Sequence, residues 1–295
     1  MSKEQIDFYQ ENGYLMIEDA LSDEQLHLLQ SVTQTMIEAS REVSQSNDIY
    51  DLDQGHSAAE PRLTRIKLPH QQHPAFWDVL RSERITSMLK PLVGPDIRLH
   101  TSKLNTKAPG GGAAVEWHQD WAFYPHTNDD LLAVGIMLGD VEMDNGPLLV
   151  IPGSHRGPVL SHMNNGVFSG AIDPDDPAFD VSKAVALTGK AGSMSVHHVR
   201  TLHGSAPNLS NKARLLLLYE CGAADAWPIA GSVSAFTGMS QTGFWQALNE
   251  RTICGEQPLQ PRLADVPIRM PLPPPPDSSS IFKVQQSSGA RSAFA

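Results

Sequence analysis

The sequence predicts an α+β protein in which helices come first and a β-sandwich or jelly roll follows. Three observations predict it. Capped helical patterns dominate the first 95 residues, whereas short apolar runs separated by Gly, Pro, Asn and Asp dominate 96–225. No internal repeat is present, and a length of 295 residues suits one decorated β-barrel domain. The expected organisation is a single domain over 1–270, made of a helical part (1–95), a jelly-roll core (96–225) and an extension (226–270). A flexible tail over 271–295 follows.

The elements run as follows. Ser2 to Gln10 predicts a short helix stopped by Gly13, and Tyr14-Leu15-Met16-Ile17 is a brief apolar run. Ser22 with Gln25 three residues later is a capping box, opening a helix that carries Leu26, Leu29, Val32 and Met36 on one face. Residues 45–62 are polar and acidic, a loop that is either a lid or disordered. Glu83 to Leu92 predicts a helix ended by Val93-Gly94-Pro95. The strands are then Ile97–Leu104, Val115–His118, Leu131–Leu138, Leu148–Ile151, Gly192–Val199 and Arg214–Cys221. Between them, 163–183 is an insertion rich in Asn, Gly, Asp and Pro, expected as a surface loop near the barrel mouth. Pro271 to Ser278 is polyproline-like, and Ser287 to Ala295 is expected to fray.

A formal net charge of −11 argues against a nucleic-acid binder and disfavours an anionic membrane surface. No run of about 18 apolar residues or signal-like N-terminus is present, and the two cysteines, Cys221 and Cys254, fit separate reduced thiols. A cytoplasmic location is therefore expected. Oligomeric state is not legible.

The chemistry begins at Trp117-His118-Gln119-Asp120. In a strand, His118 and Asp120 face one side while Gln119 faces out. A chain of 295 residues with 12 His and 20 Asp supplies such a pair by chance roughly 0.8 times, so alone it reads as an ordinary polar pair. Position adds weight. His203 follows an apolar strand 85 residues later, and two imidazoles with one carboxylate are the donor set of open non-haem Fe(II) sites. Arg214 opens the apolar run Leu215–Tyr219, where a charge is costly unless paired. An anionic ligand would pair it through the guanidinium fork; the alternative is a strand-end arginine with its head in water.

Further segments stand in a fixed order with these: Phe8-Tyr9-Gln10-Glu11-Asn12-Gly13-Tyr14-Leu15, Asp144-Asn145-Gly146-Pro147-Leu148, Ile151-Pro152-Gly153-Ser154-His155 and His203-Gly204-Ser205. With them the chain, from residue 8 to about 220, resembles the phytanoyl-CoA dioxygenase family of Fe(II)- and 2-oxoglutarate-dependent oxygenases. The resemblance implies a double-stranded β-helix (a cupin-like jelly roll) with iron held by His118, Asp120 and His203. It implies that Arg214 binds the distal carboxylate of 2-oxoglutarate, assisted by Ser205, and that Lys107 or Lys103 lies near this co-substrate. Ile136 stands where relatives often carry Trp. O2 would be the second co-substrate, with succinate and CO2 as products and a hydroxylated small or medium-sized organic metabolite as the outcome.

Other residues are open to two readings. Trp121, Phe123, Tyr124 and His126 either wall the substrate pocket or pack in the core. Of His197 and His198 only one can face the interior, and Trp227 is a candidate for the same mouth. His155 reads as structural. Two other functions compete: a metal-binding jelly roll that senses or binds without turnover, and a cupin-type metal-dependent hydrolase or isomerase. The second has no need of Arg214.

Overall fold

The computed structural model describes residues 1–111, 114–229 and 240–294. Seven helices are present among these residues: α1 (Lys3–Asn12), α2 (Asp23–Ala39), α3 (Pro69–Gln72), α4 (Pro74–Arg81), α5 (Glu83–Val93), α6 (Gln241–Glu250) and α7 (Ile281–Ser287). Both N-terminal helices begin with capping boxes, Ser2 with Gln5 and Ser22 with Gln25. Gly13 ends α1 at φ 75°, where a Cβ would meet His155 Nδ1 at 2.3 Å. The expected Asn12-Gly13 stop and the Gly-Ser-His turn are therefore one packed junction, and His155 is structural there.

The strands are β1 (Tyr14–Ile17), β2 (Tyr50–Leu52), β3 (Leu63–Lys67), β4 (Ile97–Lys107), β5 (Val115–His118), β6 (Leu131–Met137), β7 (Leu148–Val150), β8 (Met163–Asn164), β9 (Val167–Phe168), β10 (Val185–Leu187), β11 (Met194–His198), β12 (His203–Ser205), β13 (Arg214–Ala223) and β14 (Thr252–Cys254). A large sheet runs β1-β11-β6-β13-β4-β3-β2, with β14 also on β4, and a smaller one runs β10-β7-β12-β5. All pairings are antiparallel. Two antiparallel sheets face to face are the jelly roll the sequence predicts.

Helices cover the outer face of the large sheet, so its central strands are buried on both sides and lose visible alternation. On β13, Leu217, Tyr219 and Cys221 join Leu29, Phe76, Leu80, Ile85 and Leu89 in the main core. Each fully buried side chain of this kind contributes roughly 1.5–3 kcal/mol. The alternate residues Arg214, Leu216, Leu218 and Glu220 face the barrel interior.

Four expectations change. The first 95 residues are not only helical, because β1, β2 and β3 from that stretch complete the large sheet. Part of the 45–62 loop is β2, where Asp51 bonds Arg65 and Lys67 of β3 across the hairpin. The 163–183 insertion is not merely superficial, since Ile172 and Phe179 bury Trp117. The C-terminal stretch does not fray: Gln285 of α7 bonds the Glu116 backbone and the Gly170 carbonyl, and the Phe294 ring stacks 6.2 Å from Trp117. Proline-rich composition hid the short amphipathic helix that follows it.

Candidate active site

Paired strands build the site. His118 at the end of β5 and His203 at the start of β12 are direct cross-strand partners. Asp120 is not in a strand; it opens a 3-10 turn that folds its carboxylate back under the two rings. The ligand atoms of His118, Asp120 and His203 lie within 4.8 Å of one another, and all three residues are buried. His118 Nδ1 is 2.7 Å from the Glu116 carbonyl, and His203 Nδ1 is 2.9 Å from that of Thr201. A carbonyl only accepts, so each Nδ1 carries the proton and each Nε2 keeps a lone pair. Those Nε2 atoms stand 3.8 and 3.9 Å from Asp120 Oδ1.

Burial pushes His118 down to about 4 and His203 well below the usual histidine range, so both rings stay neutral. Burial alone would raise the Asp120 carboxyl, but the surrounding histidines and Lys103 hold it well below the ordinary value. Two neutral imidazoles and one carboxylate, fixed from behind by backbone acceptors, fit a divalent iron.

Gln119 does not face solvent. It is 0% exposed and turns away from the triad into the 157–162 segment, donating to the Arg200 and Pro158 carbonyls and accepting from Leu160 N–H. Its own backbone N–H donates to His162 Nε2 at 2.9 Å. The 157–162 segment thus clamps the turn that carries Asp120.

Arg214 starts β13 opposite Lys107 and is buried. Its Nε donates to the Gly146 carbonyl at 3.1 Å, and its Nη1 has no hydrogen-bond partner among the described residues. Burial draws its guanidinium down to about 10. The Asp144-Asn145-Gly146-Pro147 turn therefore holds the arginine. Gly146 sits at φ 78°, and a Cβ there would meet the Ala206 carbonyl at 2.6 Å and Lys107 Cδ at 2.9 Å. Lys107 lies behind Arg214, donating to the Ser205 carbonyl at 3.1 Å and to that of Ala206. Burial, with Arg214 beside it, brings it down to about 6.

Two cavities meet at the triad. One, of about 40 Å³, runs from the triad along Ser205, Asn105 and Leu216 to Arg214. The other, of about 340 Å³, leads outward past Tyr124, Phe123, His100 and Val284. Lys103, Asp120, Glu220 and Ile281 line both. Of the predicted pocket residues, Phe123 and Tyr124 line the outer cavity, and Phe123 packs edge-on against His118 at 5.7 Å. His197 faces inward, its Nε2 3.6 Å from Asp120 Oδ2, while His198 faces out against His155.

Three residues lie elsewhere. Trp121 packs with Leu131 and Val199 and donates to the Pro267 carbonyl, His126 bonds the Tyr124 carbonyl behind His100, and Trp227 packs on Phe244 and Arg98. The 3-10 turn after His118 breaks the strand, so alternation cannot be carried past Asp120. Lys107 does not line either cavity; Lys103 lines both. Glu220, Asn105 and Lys103 were legible in principle, since they share period-2 faces with Arg214 and Lys107.

A jelly roll with an inward His-Asp-His group and a buried arginine defines a class of non-haem iron oxygenase. The phytanoyl-CoA dioxygenase (PhyH) family model matches residues 9–216, and the chain belongs to that family. It is 38% identical over 291 residues to a probable alpha-ketoglutarate-dependent hypophosphite dioxygenase of Stutzerimonas stutzeri, covering 97% of this chain and 98% of that one. It is 25% identical over 238 residues to the ectoine dioxygenase of Bordetella bronchiseptica, covering 74% and 75%. The crystal structure of EctD from S. alaskensis with bound Fe shares the fold, with a TM-score of 0.66 at 22% identity over 90% and 87% of the chains. The protein is an iron- and 2-oxoglutarate-dependent dioxygenase. No helix among the described residues is long and apolar enough to cross a membrane.

Proposed function

We propose that His118, Asp120 and His203 hold the iron, that Arg214 with Ser205 binds the distal carboxylate of 2-oxoglutarate, and that hypophosphite is the first substrate to test. The observation that carries the cofactor assignment is the orphaned buried Nη1 of Arg214 at the far end of a cavity that begins at the triad. A guanidinium so placed needs an anion, and a planar carboxylate matches its fork. The Gly146 carbonyl fixes the arginine by accepting from its Nε. Bound iron and 2-oxoglutarate would supply the oxidising power drawn from O2, with release of succinate and CO2. The chain's own part is to orient the donors through Glu116 and Thr201, to keep the rings neutral, and to exclude water beneath Ile281.

Hypophosphite is favoured by the relative named for it, whose match extends over nearly the whole of both chains. One oxygen atom inserted into a P–H bond gives phosphite, and the other enters succinate. A second reading, hydroxylation of an organic metabolite, is favoured by the 340 Å³ outer cavity and its apolar lining of Phe123, Ile281 and Val284.

The test is succinate formation with Fe(II), 2-oxoglutarate and O2, with and without hypophosphite, alongside phosphite detection. Stimulated succinate with matching phosphite supports the reading; stimulation only by organic compounds moves it to the second. His118→Ala and Asp120→Ala should each lose bound iron and turnover, and retention of one equivalent of iron would remove the ligand assignment.

A further inference from the structure

The two cavities meet at a buried ion pair that the cofactor assignment does not use. Lys103 Nζ donates to Glu220 Oε1 at 2.7 Å, the side chains being 20% and 5% exposed. Taking such a pair out of water costs several kcal/mol per ion, so a purely packing role would be better served by apolar residues of the same size. Asp120 and the Tyr124 hydroxyl flank the pair. An ammonium has three N–H donors, and Glu220 takes one.

Among the described residues, each other side-chain cation lining these cavities lines only one of them. Arg65 and Lys67 are both held by Asp51, at 2.7 and 2.9 Å, and Arg214 closes the opposite end. Lys103 is the cation common to both cavities, next to Asp120. Distance separates it from the co-substrate's distal end. Arg214 pairs with Lys107, and Lys103 pairs with Leu218, so four residues part the two levels along β4 and β13. At about 3.3 Å per residue that is roughly 13 Å between the two backbone levels. Asn105, whose Oδ1 has no hydrogen-bond partner among the described residues, lies at the level between.

We propose that Lys103, held in place by Glu220, is the specificity-determining residue that receives a negatively charged substrate head beside the metal, which makes the substrate a small oxyanion. This rests on the dioxygenase reading of the same cavity and narrows its substrate class. Lys103 sets which molecule stays at the triad, while Arg214 sets the co-substrate. The apolar roof of Ile281 and Val284 then sheds water from the anion rather than binding a chain.

The test uses the full chain loaded with Fe(II) and 2-oxoglutarate without O2, titrated calorimetrically with sodium hypophosphite. Loss of a charge-assisted contact should weaken binding about ten- to hundredfold in Lys103→Met. Lys103→Arg, which keeps the charge, should recover much of it, and 2-oxoglutarate affinity should change less than threefold. Because an unpaired Glu220 would strain the fold, Lys103→Met/Glu220→Gln serves as a second variant and should show the same loss. Hypophosphite affinity unchanged in both variants overturns the proposal. So does a loss of 2-oxoglutarate affinity as large as that of hypophosphite, which would make Lys103 a co-substrate ligand. Wild-type protein that binds 2-oxoglutarate but not hypophosphite overturns the oxyanion class. Failure of the dioxygenase reading itself would appear separately, as absence of any 2-oxoglutarate binding or uncoupled succinate formation.

Discussion

Replacing Arg214 by Met should separate co-substrate binding from metal binding. Arg214 is 3% exposed, with one acceptor among the described residues, the Gly146 carbonyl, and an Nη1 without a partner among them. In the unliganded protein it is therefore a poorly compensated buried charge, and an apolar side chain of similar length costs little there. With 2-oxoglutarate present the balance reverses, because the distal carboxylate would be buried without its counter-ion. Truncating one partner of such a pair costs about 2–5 kcal/mol, which at 1.4 kcal/mol per tenfold is roughly 30-fold to several thousandfold in Kd. Isothermal titration of the Fe(II)-loaded protein without O2 reads this directly. Thermal unfolding gives a second readout. At 100 times Kd the wild type gains about 2.7 kcal/mol from its ligand, worth about 4 °C in Tm for a domain of this size. Arg214→Met should lose that ligand-induced rise while its ligand-free Tm and iron content stay near wild type. A 2-oxoglutarate Kd within threefold of wild type would refute the reasoning.

Two further outcomes follow from the same structure. Gly146→Ala places a Cβ against the Ala206 carbonyl and Lys107 at a left-handed φ, so it should lower unfolding stability by about 1–3 kcal/mol and weaken 2-oxoglutarate binding through the displaced carbonyl. Urea unfolding together with the titration above checks it; wild-type values in both would contradict the turn's role. The second concerns acid. His162 accepts Gln119 N–H through Nε2 and is pushed down to about 3 by burial, so it stays neutral in the fold while the unfolded ring titrates near 6.5. Between those values the unfolded chain binds the extra proton, so stability falls as pH falls below 6.5, by up to about 1.4 kcal/mol per pH unit. His162→Gln should flatten that slope between pH 7 and 5, and an unaltered slope would show that His162 takes no part.

Much of the site was legible because its residues obey local rules. His118, His203 and Arg214 each open or close a strand, and strand ends point their side chains at a barrel mouth. The ordered motifs gave the family from the same residues. Other features resisted because their causes are non-local. Gln119 is buried by the 157–162 segment some 40 residues away, so no alternation rule could show it facing protein rather than water. Trp121 reads as a pocket aromatic by its neighbours, yet a 3-10 turn rotates it into the core. The C-terminal helix docks by Gln285 and Phe294 onto β5, a contact invisible in a tail of prolines and serines.

The sequence by itself determined the helix caps, the order of helices and strands, the candidate donor residues and the reaction class, since these follow from side-chain chemistry, short-range periodicity and ordered motifs. Only the tertiary structure decided that His203 stands directly across from His118, that Gly146 grips Arg214, and that Lys103 rather than Lys107 reaches the cavities. The reason is physical. Register and burial are properties of pairs of strands distant in the chain, and a side chain's chemistry depends on which partner the fold puts beside it.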